Sequence, residues 1–338
     1  MIQPSVDIVI LNYNTRSILE KCLPQVIANS NYPNCKVVVV DNASTDDSVE
    51  FVKTTYPNLE VVVLPFNSGF AGGYNLSLKN RTADYFVLLN SDAEPGPNWL
   101  EPILEIANTN PNFGACQPKI LDYFKRTHFE YAGAAGGFID VFGYPFCKGR
   151  IFGNVEKDNG QYNQSGQIFW ASGAAMFVKR EAWEKANGLD EAFFAHMEEI
   201  DLCWRMQLLG YTIHNCHQST FYHMGGATLS NQNPKKTYLN FRNSLLMLHK
   251  NLPENIKSKR ILQRKFFDGL AGVLFLMQGK PKHVIQIIKA HQYYDKHKHD
   301  FQISENTVPL TQLSGVLDSS LVFGFFLKGK KTWANWFN

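Results

Sequence analysis

Four short apolar runs punctuate the first third of the chain: VDIVIL (6–11), KVVVV (36–40), LEVVVL (59–64) and YFVLL (85–89). Each has the length of a strand. Between them, segments such as SILEKCLPQVIANS and SVEFVKTTY place their apolar residues at helical spacing. Near-continuous apolar strands alternating with helices predict a parallel sheet covered on both faces, an α/β architecture. In such sheets ligands bind beyond the carboxyl ends of the strands. The polar sequences NYNT, DNAS, NSGFAGGYN and NSDAEP follow the four runs and stand at that edge.

From Gly114 to about Gly173 the periodicity loosens into Gly- and aromatic-rich sequence, RTHFEYAGAAGGFIDVFGYPF, read as loops and short strands over the sheet edge. An ordered unit, WASGAAMFVKREAWEKANGLDEAFF, then leads into FFAHMEEIDLCWRMQLLGY. There Leu202, Trp204, Met206 and Leu209 fall mostly on one helical face, so Glu198, Glu199 and Asp201 sit at or near the helix start, where the macrodipole favours negative charge. A carboxylate so placed can serve as a general base, or be a solvated acidic turn. After the polar break SNQNPKK (230–236) the remainder reads as mainly helical. The boundary is placed near Pro234, dividing the chain into residues 1–233 and 234–338.

A formal net charge of +3 over 338 residues is too small to argue for nucleic acid. The basic residues crowd toward the C-terminal third, in NIKSKRILQRK and KGKKTWANWF. The apolar and aromatic residues around them suit a membrane interface, where tryptophan and lysine anchor apolar faces, or a helical subdomain packed on the sheet unit or on a second subunit as a homodimer. Six cysteines with no CxxC or Cys/His zinc spacing read as reduced core residues, which implies a cytoplasmic protein. No run is long enough to span a bilayer, and MIQPSVDIVILNYN reads as a buried strand rather than a signal peptide.

Several residues carry candidate chemistry. Asp41 closes a strand at the sheet's carboxyl edge, where a ribose or base can meet its carboxylate; it can also be a turn residue. Gly69, Gly72 and Gly73 let backbone approach a ligand and open a helix toward an anion. Asp92, with Glu94 beside it, offers oxygen to a hard divalent cation that takes its other ligands from substrate phosphates. His223, in FYHMGGAT, reads as a packed histidine or as a ligand. Trp170, Phe193, Phe194 and His196 read as core or as the lining of a sugar pocket.

The ordered succession VVVVDNASTDDS, NSGFAGGYN, LLNSDAEP, GAAMFVKREAW, GLDEAFF, MEEIDLCWR and FYHMGG resembles the family 2 glycosyltransferases of GT-A fold, particularly the rhamnosyltransferase-like branch that elongates bacterial surface polysaccharides. The resemblance covers roughly residues 5 to 230. It implies a mixed, mainly parallel sheet and inverting transfer of a sugar from a UDP- or dTDP-sugar to a hydroxyl of a glycan or polyprenyl-diphosphate-linked acceptor, with Mg2+ or Mn2+ as cofactor. It also implies a place at the inner face of the cell membrane for an enzyme acting on such an acceptor. By the same resemblance, Asp41 holds the base or ribose, Asn12 and Tyr13 pack on the base, and Asn67 and Gly69 lie beside the nucleotide and donor sugar. The family's Asp-x-Asp motif falls on Asn90, Ser91 and Asp92, so only the last aspartate is retained. His223 matches a histidine that helps hold metal or diphosphate. The Glu-Asp pair, whose second member is the usual base, falls on Glu198 and Glu199, which makes Glu199 the expected base and Glu198 the reserve. Competing readings are a sugar-phosphate nucleotidyltransferase, against which the absence of glycine in LNYNTRS counts, and an inactive GT-A-like scaffold or carbohydrate-binding protein.

Overall fold

A nine-stranded mixed sheet runs through the computed structural model, which describes residues 3–225 and 233–337. The four apolar runs become β1 (Val6–Asn12), β2 (Cys35–Asp41), β3 (Glu60–Val63) and β4 (Tyr85–Asn90). They lie in the order β4-β1-β2-β3 and are parallel, linked by the helices α1 (Arg16–Asn29), α2 (Ser48–Thr55) and α3 (Gly69–Leu78). Register brings the polar strand ends together: Asn12 pairs with Asp41 across β1 and β2, and Leu11 with Asn90 across β1 and β4.

After β5 (Ala93–Pro95) and α4 (Leu100–Thr109), the structure departs from the expectation of loops beyond Gly114. The first part of that stretch is β6 (Phe113–Asp122), a buried strand inside the sheet. Gln117, Pro118 and Lys119 interrupt its apolar pattern and hide it from periodicity. In the fold these polar groups are satisfied: Gln117 Nε2 donates to the Gly133 carbonyl at 2.8 Å, and Lys119 pairs with Asp158 at 2.8 Å. Only beyond it do short strands appear: β7 (Gly137–Asp140), β8 (Pro145–Cys147), β9 (Arg150–Ile151) and β10 (Asn154–Val155), which build a second, small sheet.

The main sheet is completed by β11 (Gly166–Ile168), β12 (Ala175–Lys179) and β13 (Thr212–His223), with α5 (Arg180–Lys185) and α6 (Glu198–Leu208) between the last two. The end of β13 pairs His223 with Ala93 of β5. That register sets His223 beside Asp92.

α7 (Pro234–Asn251) begins where the sequence places its boundary, although residues 230–232 of the polar break lie outside the described residues. α8 (Glu254–Met277) and α9 (Pro281–His297) form a hairpin on α7, and β14 (Val316–Leu317) joins the small sheet beside β7. α10 (Leu321–Leu327) and α11 (Ala334–Phe337) close the chain. Leu245, Leu248, Ile261 and Leu321 share one continuous core with Val9 and Trp204, so the helical region is docked on the sheet unit. All six cysteines are free, and five are buried. No helix among the described residues is long and apolar enough to cross a membrane.

Candidate active site

The ends of β1 and β2 are knitted by side chains. Asn12 Nδ2 donates to Asp41 Oδ1 at 2.8 Å and to Ser44 Oγ at 3.1 Å, while Asp41 Oδ2 accepts the Ser44 N–H at 2.8 Å. Thr15 Oγ1 donates to Asn12 Oδ1 at 2.5 Å and contacts Ser91 Oγ at 2.9 Å. Asp41 is therefore buried and already has a protein donor on each oxygen, so its first role is to hold this edge in shape. Tyr13, by contrast, is 39% exposed and offers a ring at the surface beside it.

Asn42, which sequence reasoning did not single out, ties this edge to the glycine loop. Its Nδ2 donates to Asn67 Oδ1 at 3.1 Å and to the Gly69 carbonyl at 2.9 Å, and its Oδ1 accepts the Ser68 N–H at 3.1 Å. Gly69 has φ +75, and a Cβ there would come within 2.7 Å of the Phe194 ring. Only glycine suits that position. Asn67 and Gly69 thus lie between the β2 edge and the loop that leads to the acidic helix.

Asp92 and His223 meet at the end of β5. His223 Nε2 lies 2.9 Å from Asp92 Oδ1 and 3.5 Å from Asn90 Nδ2, and His223 Nδ1 lies 3.2 Å from Glu130 Oε2. Burial works against a charge on this imidazole, but the two flanking carboxylates override it and hold its pKa up at about 10. Glu94 is not part of the group: its carboxylate pairs with Arg126 at 2.5 Å. Ser91, the middle position of the Asp-x-Asp motif, is buried in the Thr15 contact, and Asn90 stands where its first aspartate was expected. A hard cation could use this pair only by displacing the proton that His223 shares with Asp92 and by bringing much of its own coordination. One carboxylate and one imidazole converge, and no group of three His, Cys, Asp or Glu side chains suited to a metal gathers among the described residues. Glu130, also missed by sequence, sits on the far nitrogen of the ring, where a carboxylate orients a ligating histidine.

The acidic pair opens α6 as expected, and the loop before it is strained. Phe194, His196 and Met197 have φ of 63, 71 and 74, which L side chains rarely adopt. α7 holds them there. Asn243 Nδ2 lies 3.0, 2.9 and 2.7 Å from the carbonyls of Phe193, Ala195 and His196, and Arg242 Nη2 donates to the carbonyls of Ala192 and Phe193 at 2.9 Å. Asp190 accepts the Ala192 N–H and pairs with Lys250 at 2.5 Å, which orders the same loop from its other end.

Asp201 separates from the pair in role. It is fully buried, bonded by Arg205 at 2.7 Å, Lys250 at 3.1 Å and Asn251 at 2.8 Å, and these partners outweigh burial and keep its pKa low. Glu198 and Glu199 have no such partners among the described residues. Burial pushes Glu198 well above the usual carboxylate range, with Glu199 repelling it further. Burial also raises Glu199, to about 7, with backbone N–H groups of Met197 and Ile200 at the helix start favouring the anion. Glu198 is 4% exposed and Glu199 half-buried, and the Oε2 of each is shielded from solvent without a hydrogen-bond partner among the described residues. An ideal Cβ on Gly173 would lie 3.9 Å from Glu199 Cβ, and the next residue, Ala174, accepts the Asn90 N–H at 3.1 Å. The pair is thereby anchored to the strand that carries Asn90, Ser91 and Asp92.

Of the aromatic candidates, Trp170 and Phe193 are core, Trp170 Nε1 donating to the Phe138 carbonyl at 2.9 Å. Phe194 remains exposed, with Lys235 5.3 Å above its ring, and His196 is held neutral by burial and by Lys236, its pKa lowered to about 4.

Because the loop depends on α7, Asn243→Ala is expected to leave the three carbonyls short of a donor and release the backbone. A loss of about 1–3 kcal/mol in stability should accompany a fall in turnover of at least about tenfold. Thermal melts and initial rates check this; an unaltered rate at reduced melting temperature would confine Asn243 to structure.

A mixed sheet with polar strand ends, an Asp-His pair beside them and a carboxylate pair across the edge together define a glycosyltransferase of GT-A fold. Residues 7–185 match the family described as Glycosyl transferase family 2, and the chain belongs to that family. Among its relatives is an N-acetylglucosaminyl-diphospho-decaprenol L-rhamnosyltransferase of Mycobacterium tuberculosis, 24% identical over 219 residues, covering 60% of this chain and 71% of the relative. GalNAc-T7, solved with UDP, GalNAc and Mn2+, superposes with a TM-score of 0.61 at 13% identity over 88% of this chain. The chain spans 58% of that structure's length. Staphylococcus aureus TarS 1-349 in complex with UDP-GlcNAc gives a TM-score of 0.52 at 14% identity, over 86% of this chain and 92% of that one. These structures share its fold.

Proposed function

We propose that the protein transfers a sugar, with inversion, from a nucleoside-diphosphate donor, UDP- or dTDP-linked, to a hydroxyl of a glycan or polyprenyl-diphosphate-linked acceptor in surface polysaccharide assembly. The observation that carries this reading is the half-buried carboxylate of Glu199 with its pKa near neutrality, beside a more deeply buried Glu198 that burial pushes well above the usual carboxylate range. A sugar hydroxyl is a weak nucleophile, and a base titrating near the working pH is suited to take its proton as it attacks the anomeric carbon. Attack from the face opposite the leaving diphosphate inverts the centre in one displacement.

The nucleotide belongs at the β1–β2 edge, with Tyr13 against the base, Asp41 and Asn12 shaping the ribose pocket, and Asn67 and Gly69 beside the diphosphate and donor sugar. Asp92 and His223 would hold a divalent cation that supplies positive charge to the diphosphate as it departs. Glu130 keeps the His223 ring turned toward Asp92. The donor class is supported by the UDP and UDP-GlcNAc bound in the two structural neighbours, and the lipid-linked acceptor by the name of the mycobacterial relative.

Release of nucleoside diphosphate from UDP- and dTDP-sugars, with and without Mn2+, tests the proposal; no release from any of them would overturn it. The pH dependence has a definite sign. Glu199 is raised to about 7, so the active anion is lost as pH falls, and the rate should drop about tenfold for each unit below the pKa. A rate flat across neutrality in the wild type would place the base elsewhere.

A further inference from the structure

We propose that the outer face of α8, with the groove it forms against α10, lies in the surface of an anionic lipid membrane. Leu262, Phe266, Leu270, Val273, Leu276 and Met277 recur at three- and four-residue spacing and form an exposed apolar stripe. Phe266 is 64% exposed and Met277 79%. The stripe runs roughly 22 Å along the helix at 1.5 Å per residue. At its start it opens into an apolar groove of about 350 Å³ walled by Phe142, Leu262, Phe266, Phe267 and Phe323. α10 contributes two more exposed side chains, Phe326 and Leu327.

The opposite face of α8 is fixed. Arg264 pairs with Asp268 at 2.9 Å and donates to the Gly143 carbonyl at 3.0 Å, while Tyr144 and His291 both contact Asp268 at 3.1 Å. This buried polar cluster locks the helix to the small sheet and to α9, so the stripe faces outward by construction. Trp333 and Trp336, in the segment whose tryptophans sequence suggested as anchors, are used for packing instead. Trp333 stacks on Phe337 at 4.0 Å and tilts against Phe138 at 4.5 Å, and Trp336 covers Gly324.

Charge selects the occupant. Residues 254–338 hold 13 Lys and Arg against 6 Asp and Glu, whereas residues 1–253 hold 20 against 24. The exposed lysines bracket the stripe: Lys259 precedes it, Lys280 and Lys282 follow it, and Lys328 and Lys331 follow α10. Nearby acids are few: Asp295 is paired with Lys265 at 2.6 Å, and Asp318 faces Arg260. A second copy docked by two-fold symmetry with α8 antiparallel would bring Lys259 of one copy against Lys280 and Lys282 of the other. Anionic headgroups meet the same lysines with attraction, while the apolar stripe enters the acyl boundary. This placement stands on the surface alone and does not depend on the chemistry proposed for Glu199.

Sedimentation of the full chain with phosphatidylcholine vesicles, and with vesicles containing about one-third phosphatidylglycerol, tests it. The wild type is expected to bind the anionic vesicles, more weakly as salt rises, and to leave neutral ones largely unbound. The double substitution Phe266→Glu, Met277→Glu should lower the partition at least about tenfold with an unchanged melting temperature, and Lys259→Gln, Lys280→Gln, Lys282→Gln should remove most of the salt dependence. Absence of wild-type binding, or binding that Phe266→Glu, Met277→Glu leaves intact, overturns the proposal. So does a wild-type dimer that the same double substitution converts to monomer while vesicles are ignored.

Discussion

Glu199→Gln is expected to lower sugar transfer by on the order of a hundredfold or more while leaving the affinity for donor nucleotide near that of the wild type. The substitution keeps size and hydrogen bonding and removes only the capacity to accept a proton. Its effect on stability should run the other way. In the folded protein burial raises the Glu199 pKa to about 7, from 4.5 when unexposed to the fold's interior. For an acid whose folded pKa is raised, the stabilising contribution is complete below the unfolded value and is lost as pH climbs through the folded one. Above about pH 7 the wild type therefore holds an ionised carboxylate in a poorly solvated place, and Glu199→Gln should melt at higher temperature there, with the gain shrinking toward pH 4.5. A residue that costs stability yet is needed for turnover has a functional role. Glu198→Gln should share the stabilisation, since burial pushes Glu198 well above the usual carboxylate range too, and should reduce turnover less, because that carboxyl is the more deeply buried of the two. If Glu198→Gln abolished transfer and Glu199→Gln did not, the base would be the inner acid.

Asp92→Ala is expected to remove most Mn2+-dependent binding of nucleoside diphosphate. Asp92 is the carboxylate nearest His223, and no third acidic or imidazole ligand stands with them among the described residues to take over. Losing one ligand of two should weaken metal-dependent affinity by at least about tenfold, whereas affinity measured in chelator should change little. Calorimetry with UDP, with and without Mn2+, separates the two. Glu130→Gln is a milder version: it removes the charge that orients the imidazole and leaves both ligands present. Equal UDP affinity for wild type and Asp92→Ala in Mn2+ would remove the cation from this place.

Much of the parallel sheet and its polar edge was legible because its signals are local. The four valine- and leucine-rich runs are strands, and each polar segment after them reaches the carboxyl edge, since strand direction and parallel pairing leave it nowhere else to go. Glu198, Glu199 and Asp201 were readable as a helix start, but their division of labour was not. It depends on Arg205, Lys250 and Asn251 arriving around Asp201 and on nothing comparable among the described residues arriving around the other two. β6 was missed because three of its interior residues are Gln117, Pro118 and Lys119, whose partners come from distant loops. Asn42, Glu130, Arg242 and Asn243 were invisible for the same reason. Each acts on backbone or side chains brought near only by the fold, and an isolated Asn or Glu carries no periodicity that would mark it.

Proton NMR of the glycoside formed from a UDP-α-linked donor, an acceptor and Mn2+ reads the stereochemistry of transfer from its anomeric proton. Single displacement with Glu199 as base requires a β-linked product. An α-linked product would contradict it and would call for a different path from the same fold.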